Sequence, residues 1–323
     1  MLNNRQIRNK IRQLFPKKDV IERLREKLTK GSNRKVILMD VPTNGNMGDQ
    51  AIVYATKEFL KKQFPKMDVI EIPNDEVNSS LKYLKKNSNL YEAVIWNGGG
   101  NIGNLYPTAE YARWDSFQIL KNKKFIIFPQ SIHFSENSKK FEEKSIKSFS
   151  KVNNLDVFLR EKQSYQFMNH QYKNVNTFLV PDIVLSLEGN LKNISLTNKR
   201  DNKIITFLRT DKEKGTVNTN KYVDFLESKK ESIIKSDTYI NIDRVTDSNR
   251  LELLTRFWKE ISSHKLIITD RLHGMIFGYL TQTPVIVFPN NNWKIESTYR
   301  TWLTGVSYIS LIDSPMTNDA FYS

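Results

Sequence analysis

Short apolar runs recur along this chain, and segments of helical periodicity lie between them. KVILMD ends at Asp40, DVIEI begins at Asp68, AVIWN at Ala93 and FIIF at Phe125, with helical patterns from Asp49 and from Tyr111 to Leu120. Continuous apolar strands joined by helical crossovers specify a parallel sheet covered on both faces. DVFLR from Asp156 and NTFLV from Asn176 carry the series to Leu187. Residues 189–203 are polar and read as a linker. A second series follows: IITFLR from Ile204, TYINI from Thr238, a helix near Leu251 to Ile261, KLIIT from Lys265, a helix from Arg271 and PVIVF from Pro284. The expected architecture is α/β with two Rossmann-like domains, residues 34–188 and 204–323, preceded by a basic segment over 1–33.

At 323 residues and 39% hydrophobic, the chain can bury two such cores. With no cysteine there is no disulfide framework, thiolate zinc site, iron–sulfur cluster or cysteine nucleophile, which suits a reducing compartment. No uncharged apolar stretch approaches the ~18 residues needed to cross a bilayer. Arg5, Arg8, Lys10 and Arg12 also interrupt the N-terminus where a signal peptide would be apolar, so a cytoplasmic protein is expected. The formal charge is +15, of which +9 falls on residues 1–35. Such an excess points to an anionic partner. Because it is terminal and no nucleic-acid-binding module accompanies it, nucleic acid is not the expected one. Ile7, Ile11, Leu14 and Phe15, then Val20, Ile21, Leu24 and Leu28, recur at helical spacing around the break at Pro16. These two basic amphipathic helices suit peripheral contact with an anionic leaflet; the alternative is a helix that packs its stripe on the domain.

In open α/β sheets, ligands sit beyond the carboxyl ends of the strands, so the residues there are the functional candidates. They read NGNMGDQ (Asn44 to Gln50), NGGGNIGNLYP (Asn97 to Pro107), PQSIH (Pro129 to His133), Arg160 with Glu161, and Pro181 with Asp182. The second half contributes Arg209, Thr210 and Asp211, then TDRLHG from Thr269 to Gly274. GGGNIG satisfies G-x-G-x-x-G. Pro107 delays the helix that a dinucleotide fingerprint needs directly behind it, and the next strand ends without a carboxylate, so NAD or FAD is not expected. A loop over Gly98, Gly99, Gly100 and Asn101, whose backbone N–H groups approach an oxyanion or a sugar, is the expectation. Gly45 and Gly48 flank Asn46 and Met47 at a helix start that Asp49 is placed to cap, an arrangement better suited to a hydroxyl-bearing ligand than to bare phosphate. Arg271 and His273 stand between a buried strand and Gly274, where a helix start and a cation jointly attract phosphate or carboxylate. A histidine there can serve as a general acid. His133 is a second candidate, whereas His170 and His264 fall inside helical patterns and look incidental. No clustered histidine and carboxylate motif suggests a metal.

GNMGD, NGGGN followed by LYP, PQSIHF, REKQS, VPD, FLRTD and TDRLHG, in this order between Lys35 and Leu303, resemble the polysaccharide pyruvyltransferase family, most closely its small bacterial exopolysaccharide and capsule members. The resemblance implies a GT-B-like fold with an interdomain cleft, phosphoenolpyruvate as co-substrate, no cofactor, and a lipid-linked or nucleotide-linked sugar diol as acceptor. The product would be a cyclic pyruvate ketal. The family's R-L-H arginine and histidine fall on Arg271 and His273, its arginine after the first strand of the second domain on Arg209, and its mid-chain histidine on His133. Arg209 and Arg271 would hold the donor, His273 would protonate it, and Asn46, Gly48, Asp49 and the NGGGN loop would face the acceptor. Asp49, Glu161 and Asp182 are candidates by position for the base, the latter two equally readable as structural. The rival reading is a GT-B glycosyltransferase that uses a nucleotide sugar.

Overall fold

The computed structural model describes residues 17–189, 191, 199–210, 215 and 217–313. The first amphipathic stripe, Ile7 to Phe15, most of the linker and Asp211 lie outside these residues. The chain divides into two compact units. One holds the described residues up to Asn44 together with Ala51–Ser186; the other holds Gly45–Gln50 together with those from Leu187 onward.

In the first unit, helix α1 (Lys18–Thr29) leads into β1 (Arg34–Val41), α2 (Met47–Gln63), β2 (Met67–Pro73), α3 (Val77–Lys86) and β3 (Ala93–Trp96). There follow β4 (Gly99–Gly103), α4 (Pro107–Ile119), β5 (Lys124–His133), α5 (Lys139–Phe149), β6 (Leu155–Leu159), α6 (Lys162–Gln171) and β7 (Asn176–Leu179). The strands pair in parallel in the order β2-β1-β3-β5-β6-β7, with β4 joined to β5. The apolar run of β1 is buried from Lys35 to Val41, as its central place requires. Phe117, Phe125, Phe149 and Tyr172 pack edge to face at 5.0–5.1 Å between ring centres beneath the sheet.

Helix α1 buries Val20, Leu24 and Leu28, and the two leucines join this same core. The second basic amphipathic stripe is thus a packed structural helix, anchored further by Arg23, whose guanidinium lies 2.7 Å from the Glu76 carboxylate. Of its apolar face, Val20, Leu24 and Leu28 are covered by protein and Ile21 is half-buried.

The second unit contains β8 (Lys203–Phe207), α7 (Thr219–Ser228), β9 (Ser232–Ser236), α8 (Asp247–Ser262), β10 (Leu266–Thr269), α9 (Leu272–Thr281), β11 (Val285–Val287), α10 (Lys294–Thr298) and β12 (Ile309–Leu311). Its parallel order is β12-β11-β10-β8-β9. TYINI, expected as the second strand of this half, is displaced by SIIKS. Thr238 to Ile240 instead lie against the GNMGD segment: Asn46 bridges Tyr239 in antiparallel sense, Met47 N–H donates to Thr238 C=O at 2.8 Å, and Ile240 N–H donates to Gly45 C=O at 2.9 Å.

In each sheet the chain reverses direction of growth once. The crevice falls between β1 and β3 in the first unit and between β8 and β10 in the second, the places where such sheets receive ligands.

Candidate functional site

In the second unit, the residues that follow β8 and β10 meet across the crevice. Thr269 Oγ1 donates to Phe207 C=O at 2.9 Å and accepts Arg271 N–H at 3.0 Å, tying the two strand ends together. Asp270, 1% exposed, accepts Arg209 N–H on Oδ1 at 2.8 Å. Its Oδ2 is buried with no hydrogen-bond partner among the described residues. Burial pushes the Asp270 carboxyl up from its ordinary range, against the opposing pull of Arg209 and Arg271. The motif search passed over Asp270, although it occupies the same strand end as Arg271.

Arg271 precedes the first turn of α9, where N–H groups lack intrahelical partners and the helix dipole is positive. Its Nη2 reaches the half-exposed Asp237 carboxylate at 2.7 Å, while its Nε is buried with no hydrogen-bond partner among the described residues. The guanidinium is therefore held through Nη2, while its Nε–H is unspent among the described residues. Gly274 lets the α9 turn close on β10: a Cβ there would lie 2.4 Å from Thr269 Oγ1.

His273 stands half-buried in the first turn of α9, its ring 5.9 Å from that of Phe277 one turn on. Another neighbour comes from far away in sequence. A Cβ on Gly48 would lie 2.3 Å from His273 Nδ1 and 2.5 Å from Cγ, so the imidazole lies flat against the α2 backbone, and only glycine fits there. Asn46, not Asp49, caps this helix: its C=O accepts Gln50 N–H at 3.0 Å and its Oδ1 accepts Gly48 N–H at 3.0 Å. Helix α2 begins at Met47, which leaves the half-buried Asp49 in the first turn. Grouping by chain order put GNMGD with the first half. The structure puts residues 45–50 with the second unit, beside His273.

In the first unit, GGGNIG is not a free loop. Gly99 to Gly103 form β4 and pair with Gln130, Ile132 and His133 of β5. Asn101 N–H donates to Gln130 Oε1 at 3.1 Å, so that backbone donor is spent inside the sheet. Gly98 is buried and Gly100 half-buried at this edge. His133 closes β5, half-buried, with its C=O accepting Asn104 N–H at 3.2 Å.

Asp182 pairs with Arg160 at 2.8 Å, both side chains at most 3% exposed, while Arg160 Nε donates to Ser131 Oγ at 2.8 Å. Asp182 Oδ1 accepts Val184 N–H at 2.9 Å. Glu161, fully buried, accepts from Ser164 Oγ. These contacts tie Asp182 to the ends of β5 and β6, and Glu161 to the first turn of α6.

Sequence reading named Asn97 and Asn101 at the β1–β3 crevice but missed Asp40, which closes β1. Asp40 has φ +63°, and the β1–β2 register skips it between Met39 and Val41. A left-handed non-glycine residue at a bulge costs about 1–3 kcal/mol and persists only where its surroundings enforce it. Here Asn101 Nδ2 donates to Asp40 Oδ2 at 2.8 Å, and Arg113 donates to Asn101 Oδ1 and pairs with Glu110. Glu110 in turn accepts from Ser145 Oγ at 2.6 Å and Trp114 Nε1 at 3.1 Å. Burial pushes the Glu110 carboxyl up, opposed by Arg113 and these donors. Opposite Asp40, Asn97 donates its N–H to Met39 C=O at 3.0 Å and accepts Gln130 Nε2 on its C=O at 2.8 Å. Its Oδ1 is buried without a partner among the described residues, the side chain 3% exposed.

Comparison with known proteins bears on the fold and the family. A crystal structure from Klebsiella pneumoniae, of a protein described as functionally uncharacterized, superposes with a TM-score of 0.59 at 22% identity, covering 92% of this chain and 98% of its own. UDP-GlcNAc 2-epimerase from Methanocaldococcus jannaschii reaches 0.52 at 12% identity, covering 87% and 89%. Both show the fold, two Rossmann-like units of the GT-B kind. General stress protein 30 of Bacillus subtilis is 34% identical over 289 residues, 87% of this chain and 81% of that one. Pyruvyl transferase 1 of Schizosaccharomyces pombe is 29% identical over 290 residues, 84% and 70% of the two chains. The family model for polysaccharide pyruvyl transferases matches residues 46–292, a span that takes in the β8–β10 crevice and the strand-end motifs from Asn46 to TDRLHG. The chain belongs to the polysaccharide pyruvyl transferase family, and so to the transferases that move a pyruvyl group onto polysaccharide.

Proposed function

We propose that the donor is phosphoenolpyruvate, that the acceptor is a sugar diol, and that the product is a cyclic pyruvate ketal. One observation carries the reading: Arg209 and Arg271 follow neighbouring strands on either side of the β8–β10 crevice, with the α9 N-terminus between them. Phosphoenolpyruvate bears a phosphate and a carboxylate, and two guanidiniums with a helix start make a clamp for such a dianion. The orphaned Arg271 Nε and the pairing of its Nη2 with Asp237 favour a planar oxyanion received edge-on.

In this reading His273, as the imidazolium, gives its proton to C3 of the enol ether, which makes C2 electrophilic. A sugar hydroxyl adds at C2 and loses its proton. Phosphate then departs with the C2–O electron pair, and the second hydroxyl closes the ketal with loss of its own proton. Packing against Gly48 orients the imidazole, so Asn46, Gly48 and Asp49 act on the donor side. Residues 5–15 supply peripheral contact with an anionic membrane where the acceptor is lipid-linked.

The test is to incubate the full chain with phosphoenolpyruvate and a panel of hexosides, following inorganic phosphate release and the mass of the glycoside. Equimolar phosphate and pyruvate-ketal product supports the reading. Phosphate release without a ketal refutes it, and protection from proteolysis by UDP or GDP in place of phosphoenolpyruvate turns it toward nucleotide-sugar transfer.

A further inference from the structure

Residues 45–50 belong to the second unit although the chain on either side of them belongs to the first, so the second unit must hold them by its own contacts. At one end, the backbone of Thr238 and Ile240 pairs with that of Gly45 and Met47. The fit there is close, since a Cβ on Gly45 would lie 1.9 Å from the carbonyl oxygen of Ile240. At the other end, Arg250, one turn into α8, donates from Nε to Gln50 Oε1 at 2.9 Å. Arg250 is 2% exposed and Gln50 fully buried. Arg250 Nη1 also lies 3.2 Å from the exposed Asp247 carboxylate.

A guanidinium and an amide are costly to bury, and two apolar side chains of similar volume would hold α8 to α2 without that cost. What they would lack is direction. A hydrogen bond to a planar amide fixes distance and angle, whereas apolar contacts tolerate sliding. Direction matters here because of what stands on the same turn of α2. Two residues before Gln50 is Gly48, whose backbone is the surface on which the His273 imidazole lies. The bridge to Thr238 and Ile240 fixes one end of this segment and the Arg250 bond fixes the other.

We propose that Arg250 and Gln50 are positioning residues for His273: their hydrogen bond fixes the first turn of α2 and, through Gly48, the place of the imidazole. The inference rests on the reading in which His273 is the proton donor, and it adds to that reaction a pair that acts only through Gly48.

Removing both polar groups separates positioning from stability. Gln50→Leu alone or Arg250→Leu alone strands a buried partner and should lower the melting temperature. The two together leave an apolar pair and should recover most of that loss. Turnover should not recover. In the double-leucine chain kcat should stay about tenfold or more below wild type, as for a catalytic group displaced by a fraction of an ångström. Phosphoenolpyruvate affinity should remain within about twofold. Gln50→Glu keeps an acceptor for Arg250 and should rescue kcat. A second readout needs no turnover: the full-length chain has four histidines, so the ring signals of histidine-labelled protein can be assigned by comparison with His273→Gln. The His273 signal should move in the double-leucine chain and stay in Gln50→Glu.

A double-leucine chain that keeps kcat within about twofold of wild type, far short of the expected loss, or that leaves the His273 signal in place, overturns the pair. If that chain does not fold, Gln50→Met, which leaves Arg250 its Asp247 partner, takes its place under the same criteria. A displaced His273 signal in a protein that never forms a ketal, or whose His273→Gln variant keeps full turnover, leaves the positioning pair standing and removes the proton donor. An unmoved signal in an enzyme that needs His273 does the reverse.

Discussion

Replacing Gly48 with alanine puts one methyl group where His273 already is. Alanine is favoured over glycine inside a helix by about 1 kcal/mol, so propensity alone predicts a more stable chain. The geometry opposes this. The new Cβ would stand 2.3 Å from Nδ1, 2.5 Å from Cγ and 2.9 Å from Cβ of His273. Ordinary carbon contacts need ~3.5 Å or more, so the ring must retreat by about 1 Å. Because His273 Cβ is also too close, rotation about χ1 cannot relieve the overlap, and either α9 or the first turn of α2 must move. A misplacement of ~1 Å at a catalytic group can cost ~10² in rate. Gly48→Ala should therefore lose about two orders of magnitude in kcat, with phosphoenolpyruvate affinity changed far less because neither arginine is touched. The assay is phosphate release at saturating donor, paired with calorimetric donor titration and a thermal melt. A Gly48→Ala enzyme within about twofold of wild-type kcat, far short of that loss, would show that the position of His273 does not govern the chemistry.

Arg209→Ala and Arg271→Ala should each weaken phosphoenolpyruvate by about ten- to a hundredfold in Kd, the worth of one charge-assisted hydrogen bond; calorimetry with unchanged affinity in both removes the clamp. His273→Gln should lose ~10² to 10⁴ in kcat with donor binding retained, and a variant keeping more than about a tenth would send the proton donor's role to His133. Asp182→Ala strips Arg160 of its buried partner and should cost about 3–5 kcal/mol in urea unfolding; full stability with lost turnover would make Asp182 the base after all. Asp270, its carboxyl raised by burial, binds its proton more tightly folded than unfolded, so it destabilises the fold as pH rises past the ordinary value near 3.8 and through the raised one. Asp270→Asn should melt higher than wild type above that window and converge with it below, and parallel melting curves across pH would contradict the assignment. A chain beginning at Lys17 should fold yet lose sedimentation with anionic liposomes, whereas one beginning at Ser32 forfeits Leu24 and Leu28 from the core and should unfold more easily; liposome binding by the Lys17 chain equal to that of the full chain would release residues 5–15 from that role.

The sequence by itself determined the class of fold and the strand ends at which its candidate residues lie. KVILMD, AVIWN, IITFLR and KLIIT are apolar without alternation, and such runs have no stable place except inside a parallel sheet, so the strands and their carboxyl ends could be read directly. The rule that ligands gather at those ends then led to Arg209, Arg271 and His273, because each follows its strand within a few residues. Asp40 falls under the same rule, since it closes KVILMD. Tertiary structure decided what depends on partners distant in sequence. GGGNIG became a strand because β5 was there to accept its hydrogen bonds. GNMGD joined the second unit because Thr238 and Ile240 met its backbone. The left-handed turn at Asp40 is held by Asn101, whose own orientation comes from Arg113 and Glu110. Local composition states which backbone and side-chain groups need hydrogen bonds, but only the folded chain states which distant groups supply them.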